Sequence, residues 1–139
     1  MKNYDKFKNK AYKKYKTIEK VYCPYLKTQV RFNSKGFWHL IYTARNKKRP
    51  RTVQLLRFRL LSFAVKLLKI IATLQEIETI KKKRRIYYGF IAIISGWKIK
   101  VIVKKSGNGR PIFWSIIPNW TTNKKRDRLL PHKGNMESD

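Results

Sequence analysis

The chain has 139 residues, 42% of them hydrophobic, which is enough for one core but not two, so a single domain with mobile ends is expected. Lysine and arginine number 35 against 7 aspartates and glutamates, and a net charge of +28 leaves the folded chain repelling itself unless an anionic partner neutralises it. The single cysteine, Cys23, excludes an intrachain disulfide, and an N-terminus that alternates lysine with aromatics lacks the apolar stretch of an export signal, so a cytoplasmic location is expected.

Between Lys20 and Arg126 the only acids are Glu76 and Glu78. A lysine-rich background raises lysine everywhere but does not also strip out carboxylates, so the expected partner is a phosphate backbone, RNA ahead of DNA. In chain order, Tyr4, Phe7, Ala11, Tyr15, Ile18 and Tyr22 recur at helical spacing with lysines between them, predicting a basic amphipathic helix over roughly residues 1–20. Its aromatic stripe reads first as a docking face. Its basic side reads first as a solvated face, with a nucleic-acid backbone and an anionic membrane surface as equal alternatives.

Cys23-Pro24-Tyr25 breaks that helix, because proline lacks a donor and forces the preceding residue towards extended backbone. Val30-Arg31-Phe32 alternates like a short strand. Residues 37–42 fit a strand or a short helix capped by Ser34, the helix being favoured. Residues 45–51 read as an exposed basic loop, with Thr52 as the N-cap of the next helix. From 53 to 77 the positions Leu56, Leu60, Phe63, Leu67, Ile71 and Leu74 keep helical spacing and predict the central core helix. Arg57, Arg59, Lys66 and Lys69 argue against its crossing a membrane, and no integral membrane segment is expected.

After the basic run 81–85 the pattern turns to strands at 87–94, 97–104 and 112–118. The last two flank Ser106-Gly107-Asn108-Gly109-Arg110-Pro111, a glycine turn that predicts an antiparallel hairpin. Beyond Trp120 the chain is polar and aperiodic, so 121–139 is expected to be a poorly ordered tail. The fold class predicted is α+β: N-terminal helices, one of them long and central, packed on a small antiparallel sheet of three to four strands.

Two residues in this frame carry chemical interest. Projected at about 100° per residue, Arg57 falls opposite the polar face made by Arg59, Ser62, Lys66, Lys69 and Thr73, among apolar neighbours where an unpaired guanidinium is costly. A salt bridge, a side chain reaching to solvent and a bound phosphate are the three ways to satisfy it. His39 lies in the apolar run Phe37-Trp38-His39-Leu40 and is either a core residue or an acid-base group.

So few carboxylates cannot build the acidic cluster of a metal-dependent nuclease, and one cysteine with two histidines makes no zinc site; neither metal nor cofactor is expected. In the sheet, Lys98, Lys100 and Lys104 alternate with Trp97, Ile99, Val101 and Val103, offering a basic face as a floor for a backbone, with Arg110 in the adjoining turn. Ser115 stands on an otherwise apolar strand. Trp114, Trp120, Tyr87 and Tyr88 are candidates either for base stacking or for core packing.

Val21-Tyr22-Cys23-Pro24-Tyr25, Phe37-Trp38-His39-Leu40, the arginine-bearing long helix and the closing Phe113-Trp114-Ser115-Ile116-Ile117-Pro118 together resemble the phage-associated branch of the barnase/EndoU/colicin/RelE-like ribonuclease superfamily. The resemblance covers residues 21–120 and implies a nuclease domain of helices followed by a four-stranded antiparallel sheet. It implies a metal-independent RNA endonuclease working by transphosphorylation, used as a toxin or in conflicts between mobile elements. On this resemblance His39 is the general base or acid, Arg57 the phosphate-binding cation and Ser115 a positioning hydroxyl, while Lys98, Lys100, Lys104 and Arg110 would hold nucleic acid. The alternative is a non-catalytic RNA- or DNA-binding protein of the same fold. Net charge alone also makes an acidic immunity or antitoxin protein an expected partner.

Overall fold

The computed structural model describes residues 3–118 and 136–139. Helix α1 (Tyr4–Ile18) buries Tyr4, Ala11 and Tyr15, spaced so that all return to one side of the helix. The expected stripe does not continue to Tyr22. The chain leaves the helix at Glu19 in left-handed backbone, and Lys20–Cys23 forms strand β1, with Val21 and Cys23 buried and Lys20 and Tyr22 exposed. That alternation has a period of two, and strand β2 (Thr28–Arg31) pairs with it antiparallel, Val21 opposite Val30.

Residues 37–41 are helical, in agreement with the favoured expectation, within α2 (Ser34–Ile41). The cap is Asn33 and not Ser34: the Asn33 side chain accepts from the backbone N–H of Lys35 at 3.1 Å and of Gly36 at 3.4 Å. Gly36 lets α2 sit close to the sheet, since a Cβ there would lie 2.7 Å from the Phe113 carbonyl oxygen. The long helix α3 (Arg51–Ile70) starts directly after Pro50, so Thr52 lies inside its first turn instead of capping it, and the helix buries Leu60, Leu61, Ala64, Leu67 and Leu68.

Helix α3 stops at Ile70, short of the expected 77. Ile71 is extended, and its carbonyl accepts from the Tyr25 N–H at 3.0 Å. Leu74 and Ile71 still pack on the core, but from non-helical chain, so their helical spacing concealed the strand after them. That strand is β3 (Glu76–Ile80), so Glu76, inside the expected helix, and Glu78, just past its end, both stand on a strand.

Strands β4 (Arg85–Ile94), β5 (Trp97–Ser106) and β6 (Ile112–Ile117) complete the sheet. Ser95-Gly96, both with positive φ, make the two-residue turn between β4 and β5, and β5 pairs with β6 as the expected antiparallel hairpin. The sheet has six strands in the order β1-β2-β6-β5-β4-β3, and β2 runs parallel to β6 with Arg31 opposite Ile112. The α+β class therefore holds, but a three-to-four-stranded antiparallel sheet does not: the sheet is six-stranded and mixed. The extra strands are those that helical spacing disguised, in the Tyr22 end of the first stripe and the far end of the second.

One face of the sheet is covered by the helices. Leu60, Leu61, Ala64, Leu67 and Leu68 meet Phe90, Ile99, Val101, Val103, Phe113 and Ile116 in the main core. A register shift opposite Ile102 and Val103 leaves Trp114 unpaired as a bulge, so the simple alternation expected for β6 fails, and Phe113 and Ile116 both enter this core. Trp114 joins a second cluster with Tyr87, Ile102 and Met136. Met136 belongs to a 3-10 turn, Met136–Ser138, held by the Glu78 carboxylate, which accepts from the Met136 N–H at 3.1 Å. Of the tail expected to be poorly ordered, residues 121–135 lie outside the described residues, while this last segment is docked. Among the described residues no helix is long and apolar enough to cross a membrane.

Candidate nucleic-acid interface

Trp114, in its bulge, gathers two of the candidate residues, His39 and Lys104. Its indole lies 3.7 Å, centroid to centroid, from the His39 ring on α2, and the Lys104 ammonium of β5 stands 4.1 Å above it. These three side chains, with Ser34, Lys35, Trp38 and Arg85, line an open cleft of about 430 Å³. A second hollow of about 410 Å³ shares Arg85 and Trp114 and adds Ala44, Arg45, Lys83, Tyr87 and Glu137, the last paired with Lys83 at 3.0 Å. The two hollows share Arg85 and Trp114, and among their lining residues the cations outnumber the carboxylate of Glu137.

Burial and neighbouring charges tune the two titratable groups on Trp114. His39 is buried, and that burial, followed by the charge of Arg49, lowers its pKa to about 4, leaving a neutral imidazole near neutral pH. Its Nδ1 is buried without a hydrogen-bond partner. Lys104 is lowered to about 8, first by burial and then by Arg85 and Lys35, so it is charged near neutrality but able to give up its proton.

Arg57 and Ser115 meet behind this surface. Arg57 Nη1 donates to Ser115 Oγ at 2.9 Å, which joins two of the three residues that the ribonuclease resemblance singled out. The guanidinium is not open to the cleft. It is buried, with Nη1 3.0 Å from Asp139 Oδ2 and Nη2 3.3 Å from Oδ1, and Ser115 Oγ donates to the same carboxylate. Arg49 adds a third hold, 3.2 Å to Oδ2 and 2.6 Å to the Asp139 carbonyl, while its Nε donates to the His39 carbonyl at 3.0 Å. Burial disfavours the Asp139 charge, but Arg57, Arg49 and the Ser115 hydroxyl outweigh it and hold the carboxyl below its ordinary value. The apolar-side arginine that the sequence could not satisfy is thus paired by a carboxylate of the tail.

The expected basic floor is distributed differently. Lys104 is in the cleft, but Lys100 is buried on the sheet and paired with Glu76, Lys98 is half-buried, and Arg110 is exposed in the β5–β6 turn; none of these three lines the cleft. Glu76 on the edge strand β3 pairs with Lys100, and Met136 of the 3-10 turn packs against Tyr87, Ile102 and Trp114 on that side of the sheet. Lys35, Trp38 and Arg85 line the cleft instead. Arg49 is buried, although it lies in a segment whose composition read as an exposed loop. No local pattern marks it or Asp139; the one signal was the charge at Arg57, for which a salt bridge was one of three ways to be satisfied. Of the aromatics considered for stacking, Trp114 lines the cleft, Tyr87 is buried, Tyr88 packs against the main core, and Trp120 lies outside the described residues. Among the described residues no three His, Cys, Asp or Glu side chains gather where they would hold a metal ion.

No protein-family model, curated protein or solved structure matches the chain.

Proposed function

We propose that the protein binds RNA in the cleft around Trp114 and cleaves it without a metal ion, by attack of a 2′-hydroxyl on the adjacent phosphate. The observation that carries this reading is the convergence of neutral His39 and charged Lys104 on one indole at the wall of a cationic, aromatic cleft. In the reaction His39 takes the proton of the 2′-hydroxyl, the oxygen attacks phosphorus, and the 5′-oxygen leaves with a proton supplied by Lys104. Products are a 2′,3′-cyclic phosphate and a 5′-hydroxyl. Lys35, Arg85 and Lys104 offset the charge that builds on the phosphorane. Arg57 and Ser115 act one layer back, holding Asp139 and, through Arg49, the α2 backbone at His39. A role as a toxin or mobile-element conflict protein, and neutralisation by an acidic immunity protein, fit the net charge and the ribonuclease resemblance.

The test is incubation with mixed single-stranded and structured RNA in excess EDTA, beside His39→Gln and Lys104→Ala variants shown to be folded. Cleavage that survives EDTA and is lost in both variants supports the enzyme. One observation favours a second reading, a binder without catalysis: Asp139 already neutralises the arginine that the ribonuclease resemblance assigns to phosphate. Salt-sensitive binding with intact RNA would select it.

A further inference from the structure

A groove of about 350 Å³ runs between α1 and α2, lined by Lys8, Asn9, Tyr12 and Tyr42 among others, and it shares Ser34 and Trp38 with the cleft. Two of its aromatics are left open: Trp38 is 47% exposed and Tyr12 44%. Trp38 is stacked on Tyr42 at 4.1 Å and 20°, while Tyr12 is held edge-on by Phe37 at 5.0 Å. Trp38 is thus packed on one side, while Tyr12 keeps exposed ring beside Phe37 and the Lys16 ammonium. The rings are fixed in place, but exposed surface remains for a partner.

The surrounding charge indicates what kind of partner. The groove contains Lys8, and the Lys16 ammonium lies 5.2 Å from the centre of the Tyr12 ring. The face of α1 around it is lysine-rich and carries one acid, Asp5, in the first turn. A flat π-system attached to a phosphate meets all of these at once: stacking on the rings, ammonium groups for the backbone, and the Asn9 amide and Ser34 hydroxyl for base edges. An apolar peptide would use the rings and leave the lysines unanswered.

We propose that this groove is a nucleobase subsite, in which the nucleotide next to the one in the cleft leaves the stack of its own strand and packs against Tyr12 and Trp38. The proposal rests on the reading of the cleft as an RNA site and adds to it a substrate class: single-stranded RNA, or an unpaired loop, because a base held in a duplex cannot reach the groove. Trp38 stands between the two hollows and separates consecutive nucleotides.

The experiment uses the full chain and single-stranded 2′-O-methyl RNA, which lacks the attacking hydroxyl and stays intact. Affinity is measured by fluorescence anisotropy for a set of oligonucleotides carrying one abasic residue at each position in turn. With wild-type protein one position is expected to lose affinity about five-fold or more when its base is removed. In Tyr12→Ala that dependence disappears, and in Tyr12→Phe, which keeps the ring, it persists. Tight binding in which no abasic position responds to Tyr12 overturns the subsite, leaves the cleft reading standing and leaves the groove to a protein partner. Failure of every oligonucleotide to bind at low salt overturns both.

Discussion

Arg57 and Asp139 meet in a two-pronged pair, Nη1 to Oδ2 at 3.0 Å and Nη2 to Oδ1 at 3.3 Å, across 82 residues of chain. The helix buries the guanidinium, and the segment after Met136 brings the carboxylate to it. Both charges are largely out of water, so each is costly without the other.

Asp139→Asn keeps the shape and removes the charge, leaving Arg57 and Arg49 facing each other without an anion. A loss of stability on the order of 3 kcal/mol is expected in urea denaturation, the lower end for breaking a buried pair. An unchanged midpoint would mean that the carboxylate does not hold the arginines. Because the folded carboxyl titrates below its unfolded value, near 4, its contribution is complete above that pH and drains away as the pH falls through the folded value. The asparagine variant should show a flatter acid limb.

His39 acts in a higher window. Its folded pKa of about 4 lies below the unfolded value near 6.5, so between these the unfolded chain binds more protons and stability falls as the pH is lowered. His39→Gln should remove that slope between about pH 6.5 and 4 while leaving the part due to Asp139. A proton NMR titration that found the His39 ring changing near 6.5 in the folded protein would contradict the buried, neutral imidazole.

Catalysis carries its own pH signature. The proposed base must be neutral and the proposed acid charged, so kcat/KM should rise through about 4, stay level, and fall above about 8. Lys104→Arg keeps the charge in the cleft but does not give up its proton, so a large loss of rate is expected with RNA affinity retained. A variant with full rate and an unaltered upper limb would remove Lys104 from the reaction.

Gly36→Ala tests how closely α2 must approach the sheet. Alanine favours helix by about 1 kcal/mol over glycine, but its Cβ would lie 2.7 Å from the Phe113 carbonyl oxygen and 2.8 Å from the Phe113 ring. Backbone contact at that distance has to be relieved by moving α2 outward, so a net destabilisation of about 1–3 kcal/mol is expected. His39 should separate from Trp114 as α2 moves. Urea midpoints report the first effect and the His39 ring resonances in proton NMR, which the adjacent indole shifts, the second; a stabilised variant would show that α2 has room to spare.

Much of the molecule could be read along the chain. The stripe through Tyr4, Ala11 and Tyr15, the middle of α3 and the β5–β6 hairpin are local patterns, and local spacing is what hydrophobic periodicity reports. The same rule misled at Tyr22 and at Ile71 and Leu74, where helical spacing continued into extended chain. Ile71 and Leu74 pack on the core from loop, and burial constrains which side faces inward more than which backbone carries it. His39, Arg57 and Ser115 stood out by chemical type. Their placement, with Arg57 on Ser115 but His39 on Trp114, depends on a bulge and a six-strand order.

The sequence by itself determined the charge, the α+β class and the presence at Arg57 of a guanidinium on an apolar side, because each comes from composition or from neighbours within a few turns. Only the tertiary structure decided that Asp139 satisfies it, which lysines face the cleft and which are buried. Asp139, Arg49 and Lys104 are distant in the chain, and the chain's return across the sheet makes them neighbours.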